Sequence, residues 1–138
     1  MSKVKNWEKK LANFIEKRSN TPFKWGKNDC CLFVADAVKS ITGVDYAKDF
    51  RKRYKTKIGA YRILRKFAGG GLVESLEKIA KENNFNLIAP KMAKRGDIGV
   101  VYPNEALVIC LGSKWAWQGE KGIEFISYKN VLIAWSID

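Results

Sequence analysis

Histidine is absent from the 138-residue chain. The side chain that most often moves protons at neutral pH, and the commonest protein ligand for transition metals, is therefore missing. No apolar run approaches the ~20 residues of a membrane-spanning helix. The N-terminal segment MSKVKNWEKKLANFIEKR has basic residues but no apolar core and no small-residue cleavage site, so it does not read as a secretory signal. The expectation is a protein made in the cytoplasm, which leaves it only within a larger assembly such as a virion.

Cysteine is scarce and odd in number, at three. Cys30 and Cys31 are adjacent, and neighbouring Cα atoms at ~3.8 Å fall below the usual disulfide span. Free thiols in a reducing compartment are the simpler reading. With no Cys-x-x-Cys spacing and no histidine, no metal site and no cofactor are expected.

Acidic residues are also few: 14 against 26 Lys and Arg, a net charge of +12. The excess is concentrated between Lys48 and Lys66, where nine basic residues face one acid, Asp49. Arg51, Lys52, Arg53, Lys55 and Lys57 form its densest part. Such a stretch supports two readings, a polyanion-binding patch or a solvated face. No helix-turn-helix, RRM or zinc-finger pattern accompanies it, so nucleic acid is a weaker alternative.

What is present suffices for one packed domain over residues 1–138. The chain is 46% hydrophobic, with five Trp and seven Phe. Trp7, Leu11, Phe14 and Ile15 recur at helical spacing and stop before Pro22. Asp29 is a strong N-cap, with Cys30 in the first helical position and Gly43 as a plausible C-terminal stop. Tyr61, Leu64 and Phe67 predict a short helix ended by Gly69-Gly70-Gly71, and Leu72, Leu76, Ile79 and Ala80 another. Beyond Asn84 short apolar runs alternate with turns, with hairpin signals at Gly112-Ser113 and Lys121-Gly122. Helices first and then an antiparallel meander of five or six strands define an α+β class.

A thiol at a helix N-terminus lies near the positive end of the helix dipole and close to free backbone N–H groups. Both favour thiolate. The same groups suit an oxyanion. The plainer reading makes Cys30 and Cys31 small buried hydrophobes. Trp115 and Trp117 alternate along one strand face, where they either line a groove or belong to the core.

Three blocks resemble the NlpC-type, papain-like cysteine peptidases of the cell wall. Trp25-Gly26, Asp29-Cys30 and Phe33-Val34 resemble the nucleophile segment. Arg95-Gly96-Asp97-Ile98 resembles a strand start, and Leu107 to Gly112 the hairpin that normally opens with the general-base histidine. The likeness covers most of residues 20–127. The Asp-Cys-Cys-Leu-Phe segment, the Arg-Gly-Asp turn and the late Ala134-Trp135 resemble a phage and prophage branch associated with tail genes.

The resemblance implies a nucleophile at Cys30, with Phe23, Trp25, Asp29 and Cys31 around it. The base position, counted back from Gly112, is Ala106. The third polar group falls near Trp117 or Gln118, of which only Gln118 could orient anything. Phe23 replaces a tyrosine near the oxyanion site. A scaffold kept without its base implies a binding or assembly module, with tail proteins or cell-wall polymer as partners. The rival is a hydrolase that uses Cys30 with a base other than histidine.

Overall fold

The computed structural model describes residues 3–138. Four helices precede the sheet: α1 (Trp7–Arg18), α2 (Cys30–Thr42), α3 (Lys57–Ala68) and α4 (Leu72–Asn83). The strands are β1 (Asn86–Ile88), β2 (Ile98–Val101), β3 (Ala106–Cys110), β4 (Trp115–Gln118), β5 (Ile123–Ile126) and β6 (Val131–Ser136). The expected caps hold. Asp29 accepts from the Leu32 amide at the start of α2, and Gly43 and Gly69 close α2 and α3 with positive φ.

All the strands pair antiparallel, in the order β1-β6-β2-β3-β4-β5. The simple meander therefore holds only from β2 to β5. The last strand returns to lie between β1 and β2, where Trp135 pairs with both Leu87 and Ile98. A central strand must bury both faces, and β6 does so. Ala134 packs on one side of the sheet and Trp135 on the other.

The inner face carries Ile98, Val100, Leu107, Ile109 and Ala116 against Leu11, Phe33, Val34 and Ile41 of α1 and α2. Full burial of a side chain such as Phe33 is worth about 1.5–3 kcal/mol. The outer face gathers Val101, Ala106, Val108, Cys110, Trp115 and Val131. Trp115 fits there because Gly99 has no side chain. A Cβ built on Gly99 would lie 3.1 Å from the indole and 2.8 Å from Val131 Cγ1. The α3–α4 hairpin packs on itself and sends Leu72, Leu76 and Ala80 of α4 into the inner-face core.

Candidate active site

The segment before α2 is held from three sides. Arg18 donates to Asn28 Oδ1 at 2.7 Å, and Asn28 Nδ2 donates to the Pro22 carbonyl at 3.0 Å. Phe23 and Trp25 meet edge to face with centroids 4.8 Å apart. Gly26, at φ 79°, presses on the Tyr54 backbone so closely that a Cβ would lie 2.1 Å from the Tyr54 carbonyl oxygen. Asp29 is 1% exposed and collects three donors, the amides of Leu32 and Gly26 and the Tyr54 hydroxyl. This knot fixes where the first turn of α2 points.

The two thiols of that turn diverge, as residues ~100° apart on a helix must. Cys30 packs against the outer-face cluster that holds Ala106 and Trp117. It lines an open cleft of about 440 Å³ with Phe23, Trp25, Ala106, Trp117 and Gln118. Cys31 turns instead into an apolar cavity beneath α3 and α4. Cys30 is thus the thiol that meets the cleft, and the sulfur atoms remain 3.9 Å apart.

Their electrostatics differ in the same sense. A hydrogen bond from the Cys31 thiol holds Cys30 below the ordinary cysteine value against the cost of burial, with the Leu107 backbone helping. Donating that bond, together with burial, pushes Cys31 well up. The pair therefore ionises first at Cys30.

The position where the resemblance puts a base holds none, and the candidate for its orienting partner is bonded elsewhere through its nitrogen. Ala106 opens β3 opposite Val101 and presents only a methyl group. Gln118 is 4% exposed, and its Nε2 donates to the carbonyls of Thr21 at 2.7 Å and Gly119 at 2.9 Å. Both partners are acceptors, so the amide orientation is fixed by the network. Its Oε1 has no partner, nor has the Trp117 indole N–H, and these are the buried side-chain polar atoms left unpaired among the described residues.

Trp115 is a core residue at 2% exposure, whereas Trp117 lines the cleft. The basic stretch divides as well. Arg51 is committed to Asp36 at 2.6 Å and Asp45 at 2.8 Å, while Lys52, Arg53 and Lys55 are exposed. Lys57 joins the cleft wall beside Tyr61, its ammonium 5.9 Å from the ring centroid. The β2–β3 loop adds Tyr102, Asn104 and Glu105 to the same wall. Sequence reasoning missed Tyr54, Tyr61, Tyr102 and Glu105 as members of this region. The nearest signal was the adjacency of Glu105 to Ala106. No group of three or more Cys, Asp or Glu able to hold a metal ion occurs among the described residues.

A helix-tip thiol facing a cleft, on α-helices packed against an antiparallel sheet, defines an NlpC/p60-like fold. The chain is similar to a solved structure described as the NlpC/p60 domain of the peptidoglycan hydrolase SagA. The TM-score is 0.58 at 18% identity, over 94% of this chain and 97% of that one. Residues 2–137 match the family described as a domain of unknown function, DUF6950, and the chain belongs to that family. None of the curated proteins matches it.

Proposed function

We propose that this chain keeps an NlpC/p60-like cleft as a binding site after losing the apparatus for hydrolysis, and that it serves as a tail-associated binding or assembly module of a phage or prophage. One observation carries the reading. In the cleft of Cys30 the wall offers the Ala106 methyl, and Gln118, its Nε2 held by two backbone carbonyls, offers only an amide oxygen, which is no base. A positioned base contributes ~10²–10⁴-fold in rate, and amide cleavage also needs a proton for the leaving amine. No imidazole exists in the chain to supply either.

The cleft is nonetheless equipped to bind. Trp25, Tyr61, Tyr102 and Trp117 give it an aromatic lining. Cell-wall peptide is the ligand class that the SagA likeness suggests, and tail proteins are the partners that the phage-like segments suggest. The test is calorimetric titration of a peptidoglycan stem peptide into wild type, Cys30→Ala, Tyr61→Ala and Tyr102→Ala. Cys30→Ala should bind like wild type. Each tyrosine variant should weaken binding about tenfold, as loss of ~1–1.5 kcal/mol of aromatic contact implies. Binding that vanishes in folded Cys30→Ala counts against the proposal.

A second reading, a cysteine hydrolase with an unorthodox base, is favoured by the lowered pKa of Cys30. Lys57, Tyr61, Tyr102 and Glu105 are the titratable groups that share its cleft.

A further inference from the structure

The α3–α4 hairpin leaves a cavity of about 110 Å³ between itself, α2 and the sheet. Its walls are mostly aliphatic and aromatic, with Val34, Val38, Leu64, Leu76 and Phe85 prominent. Several of the polar side chains in its lining are engaged. Ser75 donates to the Gly71 carbonyl, Tyr54 donates to Asp29, and Cys31 is bonded to Cys30. Neither of the two unpaired buried polar atoms found among the described residues belongs to its lining. Water in such a space needs two to four polar partners. The Tyr46, Tyr61 and Glu105 side chains of the lining are without a hydrogen bond among the described residues, and the largely apolar remainder favours an apolar occupant.

The cavity is not isolated from the cleft. Trp25, Cys30, Tyr61 and Glu105 line both, so the two spaces share one wall with the Cys30 thiol in it. The charges at this junction are unequal in their freedom. Glu105 Oε1 lies against the start of α4, only 3.0 Å from a Cβ built on Gly71, its N-cap. The helix dipole there offsets a negative charge. Lys57 has no carboxylate partner among the described residues, and its ammonium lies over Tyr61 at the cleft.

We propose that the cavity is a second subsite, which takes a short unbranched aliphatic chain from a ligand whose anionic head lies in the cleft beside Lys57. The proposal rests on the reading of that cleft as a binding site. An engineered apolar cavity of 150 Å³ holds the six carbons of benzene, so 110 Å³ holds about four on the same scale. A simple straight-chain carboxylate of five or six carbons would fill it and leave its carboxylate outside.

The test is a series of alkanoates from acetate to octanoate, titrated into the full chain by calorimetry. Affinity should rise about fourfold per methylene up to pentanoate or hexanoate and then level off. Ala60, 8% exposed in the cavity wall, is the site for a filling variant. Ala60→Leu should abolish the rise while its circular dichroism stays native, and Lys57→Met should weaken every member of the series alike. Hexanoate should also slow alkylation of Cys30 by iodoacetamide in wild type, a measurement that needs no variant to fold. Affinity that is flat from acetate to hexanoate, or hexanoate binding unchanged in folded Ala60→Leu, overturns the proposal. The series contains no cell-wall peptide or tail protein, so its failure leaves the reading of the cleft standing, and failure of stem-peptide binding leaves the cavity result intact.

Discussion

The Tyr54 hydroxyl donates to Asp29 Oδ2 at 2.5 Å, joining the basic stretch to the residue that caps the helix of Cys30. Asp29 thus serves α2, the Gly26 turn and Tyr54 at once. Asp29→Ala removes a cap worth ~1 kcal/mol and hydrogen bonds to a charged group, for a combined loss of roughly 3 kcal/mol. Tyr54→Phe removes only one of those bonds and should cost about 1.5 kcal/mol. Urea unfolding of both variants and of the double mutant measures the coupling. Additive effects would show that the bond carries no weight.

The same bond predicts a pH response. Burial first, and then the bond to Asp29, raise the Tyr54 pKa far above the ordinary tyrosine value. A group whose folded pKa is raised contributes stability that is fully present below its unfolded pKa of ~10 and is lost as pH rises beyond it. Unfolding free energy should therefore fall above about pH 10. Tyr54→Phe should shallow that fall without abolishing it, because burial also raises Tyr46. Equal alkaline slopes in wild type and Tyr54→Phe would contradict the assignment.

The thiol pair makes a second chemical prediction. Iodoacetamide should label Cys30 before Cys31, with a rate midpoint below the ordinary cysteine value of ~8.5. Cys31→Ala removes the largest stabiliser of the Cys30 thiolate, so that midpoint should move up. Fragmentation mass spectrometry of the one tryptic peptide that carries both cysteines resolves the order of labelling. A midpoint that stays put or falls in Cys31→Ala would show that the neighbour is not the cause.

Arg51 and its neighbours separate stability from binding. Arg51 bridges Asp36 and Asp45, and its bond to Asp45 is the main reason that the Asp45 carboxyl is held below the ordinary range. All three side chains are 18–28% exposed, so Arg51→Ala should cost about 1–3 kcal/mol, between surface and buried pairs. A depressed carboxylate contributes stability above its unfolded pKa of ~3.9 that is lost as pH falls through the folded value. Arg51→Ala should therefore flatten the acid limb below about pH 4. Neutralising Lys52, Arg53 and Lys55 together should leave stability within about 0.5 kcal/mol and reduce retention on a polyanionic resin. Unchanged retention would assign the stretch to solvation alone.

Local chemistry explains what could be read before any fold was known. The α2 cap, the Gly43 and Gly69 stops, both hairpins and the helix-tip thiol all depend on residues a few positions apart. The place of β6 does not. Its pairing with β1 and β2 is decided by which strands can bury both faces, and β1, β2 and β6 all read as short apolar runs. The candidate site was legible where a residue type was missing, at Ala106, and where a pattern marked a thiol, at Cys30. Phe23 and Trp25 were legible beside it, and the rest of the wall comes from two distant segments that carry Tyr61 and Glu105. Only the tertiary fold brings them to one cleft. Trp115 and Trp117 looked equivalent in sequence, and the open space beside Gly99 separates them into a core residue and a cleft residue.

The central claim is that Cys30 occupies a nucleophile's place without the means to cleave an amide. Release of new amino termini from purified peptidoglycan, followed over hours with wild type beside Cys30→Ala, tests it most directly. The account predicts that the two proteins are indistinguishable from buffer at every pH from 6 to 9, a range that brackets a lowered thiol pKa. Release that depends on Cys30 at any of those pH values would contradict it and would leave Lys57, Tyr61, Tyr102 and Glu105 as the groups to search for the base.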